Sequence, residues 1–450
     1  MAVGTDIVFA TVLSVVMSNT TVNTDIATLT AQVENMTVVI NCLWVTVCTF
    51  FIFVMQAGFA MLEAGTVREK NVQGNLVKNL LDTLVTTVTF FFIGYGLGFG
   101  NDVGGFLGSS LFAADGFEGT DNYYLFVFHW SFASTAATII SGSLAERTHI
   151  LAYLIFSAFT TAITYPVAAH WVFGGGWLSS MGFHDFAGDG PVHLLGGIAG
   201  FVGCLMVGPR KDRFTEGRAD EFGNSSAPLV VLGTLLLWFG WYGFNCGSTL
   251  AFDNDYSVPK VTMNTTLGAS AGGLVSFYCD YLGGNRKSKY RITPITNGIL
   301  AGLVSITGGC DVYTAYSAIL VGGIGGIVLS LSSYLLVKYK VDDPLDATSV
   351  HGACGVWGLV AIGLFSQNNG IFYGDNGKQL GIQLLGTICI GIWSAAMSAG
   401  LYVILRHYNI LRTSKEEEEK GMDQAEFGNS AYALNSKEMM KNFLLRFQEF

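Results

Sequence analysis

The stretch Asp185-Phe186-Ala187-Gly188-Asp189-Gly190-Pro191-Val192-His193 leads directly into the apolar run Leu194 to Val207, so an acidic, Gly-rich turn delivers an imidazole into a segment that reads as a membrane helix. A second stretch repeats the arrangement. Asp342-Asp343-Pro344-Leu345-Asp346-Ala347-Thr348-Ser349-Val350-His351 again places carboxylates just before a small-residue apolar helix. An ionisable ring within a membrane helix is costly and faces the protein interior, where a partner meets it. A lone histidine would ordinarily be satisfied by a neighbouring carbonyl. One in each of two matching helices instead predicts that the rings meet near mid-membrane and relay a proton. Zinc wants four close ligands, and only Asp185 and Asp346 are conceivable additions, so no metal and no other cofactor is expected.

Composition agrees with the membrane reading. Of 450 residues, 51% are hydrophobic and only 12% charged, about half the charged share of a soluble domain. The expected fold is an all-α polytopic membrane protein. Gly 57 against Pro 7 predicts helices that approach until their backbones touch. At about 20 apolar residues per span, eleven transmembrane helices are expected, near 39–62, 77–99, 122–145, 149–172, 191–208, 228–250, 259–281, 292–308, 313–337, 347–366 and 380–405. The clusters Arg68/Lys70/Lys78, Arg210/Lys211/Arg213/Arg218, Arg286/Lys287/Lys289/Arg291 and Lys338/Lys340 fall on one side with the tail. The positive-inside rule then makes the C-terminus cytosolic and the N-terminus outside. Spans one to five and six to ten each end in a His-bearing helix introduced by an acidic turn. Five being odd, the halves form a 5+5 inverted repeat, a transporter architecture.

Three units follow: an extracellular N-terminal segment at 1–38, a membrane domain at 39–406 and a cytosolic tail at 407–450. The first residues have an apolar core from Ile7 to Met17 without a basic flank, an incomplete signal peptide. Sequons at Asn19, Asn35 and Asn264 lie in segments placed outside, and one at Asn224 lies opposite; glycosylation is expected only near the N-terminus. Eight cysteines without CxxC or CxxH spacing read as small core residues. The net charge of -10 collects in loops and in the tail, Glu416 to Glu419 included, and argues against a nucleic-acid partner. The tail is too short for an enzymatic domain. It reads as a disordered extension or a strap that docks on the cytosolic loops, and the chain as a whole is not expected to be an enzyme.

Asp185 and Asp346 are placed to cap the helices that follow them. Asp346 is expected to be mainly a cap, whereas Asp185, at the outer mouth, divides between structure and cation recruitment. Aromatic clusters stand at helix ends: Phe126-Val127-Phe128-His129-Trp130-Ser131-Phe132, His170 to Trp177, and Trp238 to Ser248. Most such rings are packing or interfacial belt, yet a cation shedding water needs ring faces, each contributing ~2 kcal/mol when dry.

Several of these segments resemble the ammonium transporter family, the Amt branch of Amt/Mep/Rh. The similarity rests on Phe132-Ala133-Ser134, Ala145-Glu146-Arg147, Trp171-Val172-Phe173-Gly174-Gly175-Gly176, Asp185-Phe186-Ala187-Gly188 with His193, Trp241 to Ser248, and Asp342-Asp343-Pro344 with His351-Gly352. The resemblance implies a homotrimer with one pore per subunit. It implies that Phe132 and Phe244 are a stacked phenyl gate, that Phe132, Phe173 and Ser248 form an outer ammonium site, and that His193 and His351 are the pore pair. Asp185 matches the family's aspartate below that site. Many members carry Trp at the position of Phe173, leaving Trp171 or Trp177 to complete the cage. The tail segment Gly421 to Tyr432 is similar to the regulatory tail of plant-type members, except that Ala425 stands where the plant pattern has threonine, which excludes phosphorylation there.

The partners implied are ammonium or ammonia, methylammonium as an analogue, membrane lipid and two further copies of the chain, in a eukaryotic plasma membrane. Ammonium and potassium are nearly the same size, so selection has to be chemical: ammonium donates hydrogen bonds and loses a proton, and potassium does neither. The expected mechanism is recognition outside, deprotonation near the gate, and passage of ammonia along the histidines with net charge transfer. An electroneutral ammonia channel and an ammonium sensor are the alternatives.

Overall fold

A computed structural model describes residues 20–252, 256–283 and 290–432. The segment Met1 to Ser18, with its signal-like core and the sequon at Asn19, lies outside the described residues, as do Met439 to Phe450. Each of the eleven apolar runs falls on helix. In chain order these are α1 (Thr20–Thr66), α2 (Val72–Thr89, carried through a π turn at Phe90–Gly94 into Tyr95–Phe99), α3 (Asn122–Ser143), α4 (Ile150–Phe159, through Thr160–Thr164 into Tyr165–Val172), α5 (Leu195–Val207), α6 (Ala227–Gly247), α7 (Ser257–Leu282), α8 (Thr293–Thr307), α9 (Ala315–Lys338), α10 (Cys354–Phe365) and α11 (Lys378–His407). Among the described residues, nine helices are long and apolar enough to cross a membrane. The two outside that group are α8, which is short, and α7, whose Ser257 to Gly273 half is rich in Thr, Ser, Asn and Gly. Helix α1 begins at Thr20, well before the apolar run at 39.

The chain is an all-α polytopic membrane protein. Leu80, Leu84, Val88 and Phe92 form an exposed stripe along α2, and Ile388 and Ile392 another on α11. Apolar stripes of this kind are what a bilayer covers. Inside, α1 packs along α6, and α7, α8 and α9 form a tight bundle. Their closeness depends on glycine: a Cβ at Gly302 would lie 2.2 Å from the Gly268 carbonyl, and one at Gly322 would meet the same oxygen at 2.2 Å. The eight cysteines are all free. Asn264 is fully buried and donates to the Cys310 and Tyr313 carbonyls at 2.9 Å, so that sequon is closed to modification.

The face that bears the tail is knitted by charge. Glu146, in the left-handed region at φ 74°, follows α3. Its carboxylate accepts from Arg210 at 2.7 Å, Arg68 and Asn71. Burial alone would push Glu146 up, but the Arg210 and Arg68 charges hold it below its ordinary value. Burial likewise opposes ionisation of Asp342, yet the Arg210 guanidinium, bonded to both its oxygens at 2.9 Å, holds that carboxyl well below the usual range. Arg147 donates to the carbonyls of Gly208, Ser143, Ala145 and Asp342. The tail, with short helices α12 (Lys415–Lys420) and α13 (Met422–Glu426), lies on this lattice. Asp423 accepts from the Gln73 and Gly74 N–H groups at the start of α2, and Lys70 donates to the Glu418 and Glu419 carbonyls. Up to Tyr432, the strap reading describes the tail better than the disordered one.

Candidate functional site

Residues from α1, α2, α3 and α6, from the end of α4 and from the turns that open α5 and α10 converge on one column. At the end of it remote from the tail is a cavity of ≈ 530 Å³ whose lining includes Phe99, Phe128, His129, Phe132, Phe173 and Ser248. Ser248 ends α6, where its hydroxyl donates to the Phe244 carbonyl at 2.9 Å. A hydroxyl has one hydrogen and two lone pairs. With the hydrogen spent inside the helix, Ser248 offers the cavity only acceptor capacity, which suits an N–H donor. Neither Trp171 nor Trp177 joins Phe173 in this lining. Trp171 donates its indole N–H to the Phe106 carbonyl at 2.9 Å and packs against Trp177 and Trp393. Phe99 and Phe128 add further rings to the lining; Phe128 belongs to the Phe126–Phe132 cluster, whereas Phe99 stands outside the clusters read from the sequence.

The cavity floor is the pair Phe132 and Phe244, stacked with centroids 4.0 Å apart and planes within 12°. Beyond them, His193 lies 5.5 Å from Phe244 and stacks on Trp241 at 5.0 Å. Trp241 is pinned by its N–H to Thr307 Oγ1 at 2.8 Å. The Nδ1 atoms of His193 and His351 are 3.2 Å apart, and both rings are buried. Two nitrogens at that distance need one donor and one acceptor, so the neutral pair holds opposite tautomers. The outward Nε2 of one ring is then a donor and that of the other an acceptor. Among the described residues His193 Nε2 finds no hydrogen-bond partner. On the far side, His351, Phe59, Leu62 and Ile139 line a void of ≈ 20 Å³, room for about one water.

Backbone geometry aims both rings. His193 sits in a π turn, Asp189–Leu194, that opens α5, and His351 in a π turn, Thr348–Ala353, that opens α10. Such turns occur frequently at functional sites. Asp185 holds the first: it accepts from the N–H groups of Gly188 (2.9 Å), Asp189 (2.8 Å) and Gly190 (2.8 Å). It is 6% exposed. This carboxylate is therefore a structural brace whose oxygens are occupied by backbone, and the surface-recruiter half of the expectation has no geometry behind it. Asp346 also departs from expectation. The helix N–H of Thr348 is capped by Asp343 at 2.7 Å, while Asp346 adopts φ 55° and accepts from Ser333 at 3.0 Å. A left-handed residue turns its side chain away from the following helix, which moved the cap to Asp343. Lys78, grouped with Arg68 and Lys70 in the sequence as a cluster on the tail side, is 2% exposed and paired with Glu63 at 2.7 Å. Among the described residues no three His, Cys, Asp or Glu side chains converge as a metal set.

A polytopic helical protein with a ring-lined cavity, an apolar floor and paired imidazoles beneath it has the build of a membrane transport protein. Residues 43–432 match the Ammonium Transporter Family, and the chain belongs to it. It is 38% identical to ammonium transporter 1 member 3 of Solanum lycopersicum, over 90% of this chain and 95% of that one. To ammonium transporter Amt2 of Archaeoglobus fulgidus it is 36% identical, over 89% of each. Among solved structures it superimposes on a protein described as Sensor Amt Protein with TM-score 0.82 at 36% identity, covering 87% of this chain and 99% of that one. Mep2 of Saccharomyces cerevisiae gives 0.78 at 28%, covering 84% and 88%. Ammonium transport is the function these likenesses support, and ammonium the substrate.

Proposed function

We propose that the protein selects ammonium at the cavity above Phe132 and Phe244, deprotonates it there, and passes ammonia along His193 and His351 while the proton crosses separately, giving net charge transfer. The observation that carries this reading is the 3.2 Å contact between the two buried Nδ1 atoms directly beneath the stacked phenyl rings. Phe132, Phe173 and Ser248 recognise the cation, the rings by their faces and the hydroxyl by its lone pairs. The Phe132–Phe244 stack then opposes any ion, because bare charge in an apolar constriction costs several kcal/mol. Potassium has no proton to shed and stays outside.

The same reading places eleven spans in a 5+5 inverted repeat, the N-terminus outside, residues 39–406 as the transport body and 407–450 as a cytosolic regulatory tail. It takes the assembly to be a homotrimer with one pore per subunit, in a plasma membrane. The positive-inside pattern and the matching π turns support it. The test is the current from voltage-clamped cells on addition of ammonium and then of equal potassium. An inward current with ammonium alone is the expected result. Silence together with labelled methylammonium uptake refutes charge transfer in favour of an electroneutral channel. The likeness to Sensor Amt Protein and the tail's seat on α2 favour a second reading, ammonium sensing. Under it, purified protein binds ammonium, shifts the tail and moves nothing.

A further inference from the structure

Three buried ionisable groups stand beside the pore column without belonging to it: Glu63 on α1, and Lys78 and Asp82 on α2, each 2% exposed or less. Glu63 Oε2 accepts from Lys78 at 2.7 Å, Asn75 at 2.8 Å and Asn79 at 3.1 Å, and Oε1 accepts from Ser141 at 3.0 Å. Lys78 spends a second hydrogen on Asn75 Oδ1 at 2.7 Å and lies 4.6 Å above the Tyr153 ring. A buried ion pair of this kind is poor value as a structural element, since apolar packing of the same volume is as stabilising or more so.

What distinguishes this pair is its position between two voids. The one that His351 lines is also lined by Glu63, and a Cβ built on Gly142 in its wall would lie 3.8 Å from Glu63 Oε1. A second void, again ≈ 20 Å³, is lined by Lys78, Asn75, Tyr153, Thr148 and, from the tail, Met422 and Glu426. The Tyr153 and Thr148 hydroxyls both border this void and lie within reach of each other, and among the described residues neither has a further hydrogen-bond partner. Each void exceeds the roughly 10–15 Å³ that a water needs; the second is walled largely by polar groups, and the first, though mainly apolar, offers Glu63, Thr138 and His351 as partners for one.

We propose that the Glu63–Lys78 pair is a proton relay leading from His351 to the tail-side face, a polar branch distinct from the apolar path of ammonia; it rests on the charge-transfer reading above. A proton leaving the His351 ring crosses one water to Glu63 Oε1, while Lys78 releases a proton from Nζ to water in the second void. After a half-turn of the carboxyl, the Glu63 proton crosses the 2.7 Å contact to the neutral amine and the ion pair is restored. One proton enters and one leaves, and only O–H and N–H bonds are made or broken. The tail residues Met422 and Glu426 then form part of the exit.

The test uses the full chain in proteoliposomes, with ammonium-evoked current on a supported membrane and ammonia permeation by stopped-flow pH recorded on the same preparations. Glu63→Gln, Lys78→Met and the double variant are each expected to lower the current about 100-fold, in line with loss of a positioned proton-transfer group, with ammonia permeation kept within about twofold. The double variant leaves no unpaired charge, so it is the one expected to fold as wild type does. Gly142→Ala leaves the ion pair intact and narrows the first void, its new methyl 3.3 Å from Leu345 Cδ2; since that void borders the ammonia path as well, a fall in current at least about tenfold greater than any fall in permeation is expected. Wild-type current in the folded double variant, or in Gly142→Ala, overturns the relay alone. Absence of current in the wild-type protein with permeation intact overturns the charge-transfer reading and the relay with it.

Discussion

The two histidine turns look alike in sequence and differ in how they are held. The outer one, Asp189–Leu194, is braced by three backbone N–H groups on the Asp185 carboxylate and by Trp241 stacked on its imidazole. The inner one, Thr348–Ala353, has a single backbone bond to Asp343, which also accepts from Ser143, and its imidazole borders a void. The residues before it, Asp342 and Asp343, are tied into the charge lattice on which the tail lies. The outer turn is thus a fixed part with its own support. The inner turn inherits its position from the loops on which the tail lies.

The largest effect expected tests whether the two turns nevertheless act as one unit. His193→Ala and His351→Ala should each lower selective ammonium current by about 100-fold or more, and the double variant little further, because coupled groups lose their function together. Additive losses in a double-mutant cycle would separate them. Next comes the difference in bracing. Asp185→Ala removes three buried charge-assisted bonds and should cost roughly 3–5 kcal/mol, whereas Asp343→Ala removes one backbone cap and should cost about 1 kcal/mol. Unfolding of the detergent-solubilised protein measures both, and equal losses would erase the contrast.

A smaller effect sharpens the outer side. Trp241→Phe keeps a ring against His193 but leaves Thr307 Oγ1 without its 2.8 Å donor, at a cost of about 1 kcal/mol in stability. The last concerns the inner side and depends on pH. Burial and the neighbouring Asp343 carboxylate push Asp346 up to about 7 from the ordinary carboxylate value near 4. Between those pH values the folded chain binds more protons at this group than the unfolded chain, so its contribution to stability is full below pH 4 and is lost as pH rises through about 7. Asp346→Asn should therefore gain on wild type as pH rises from 4 to 8. A difference independent of pH would remove Asp346 from the account.

Much of this was legible in the sequence for physical reasons that are local. Runs of about 20 apolar residues announce membrane helices, and a histidine inside one announces an interior partner, so the His193–His351 meeting could be read before any coordinates. The phenyl stack and Ser248 came only through family resemblance, since nothing in Phe132 or Phe244 alone distinguishes a gate from packing. The π turns were not legible, because they are set by hydrogen-bond register and composition carries no mark of it. The Asp343/Asp346 exchange was hidden for a related reason: either residue is a good cap, and the left-handed backbone at Asp346 decides between them. The burial of Lys78 was not legible, because a lysine at the edge of an apolar run usually reaches water and its partner Glu63 is 15 positions away on the preceding helix.

The contact between the rings has its origin elsewhere, at the crossing of α5 with the inner turn. A methyl group on Gly197 would lie 2.1 Å from the Gly352 amide nitrogen, a distance no pair of atoms tolerates. To admit even alanine there, the two segments would have to separate, and the imidazoles would separate with them. The spacing across which a proton could hop is thus dictated by the absence of one carbon atom, at a residue that touches neither ring.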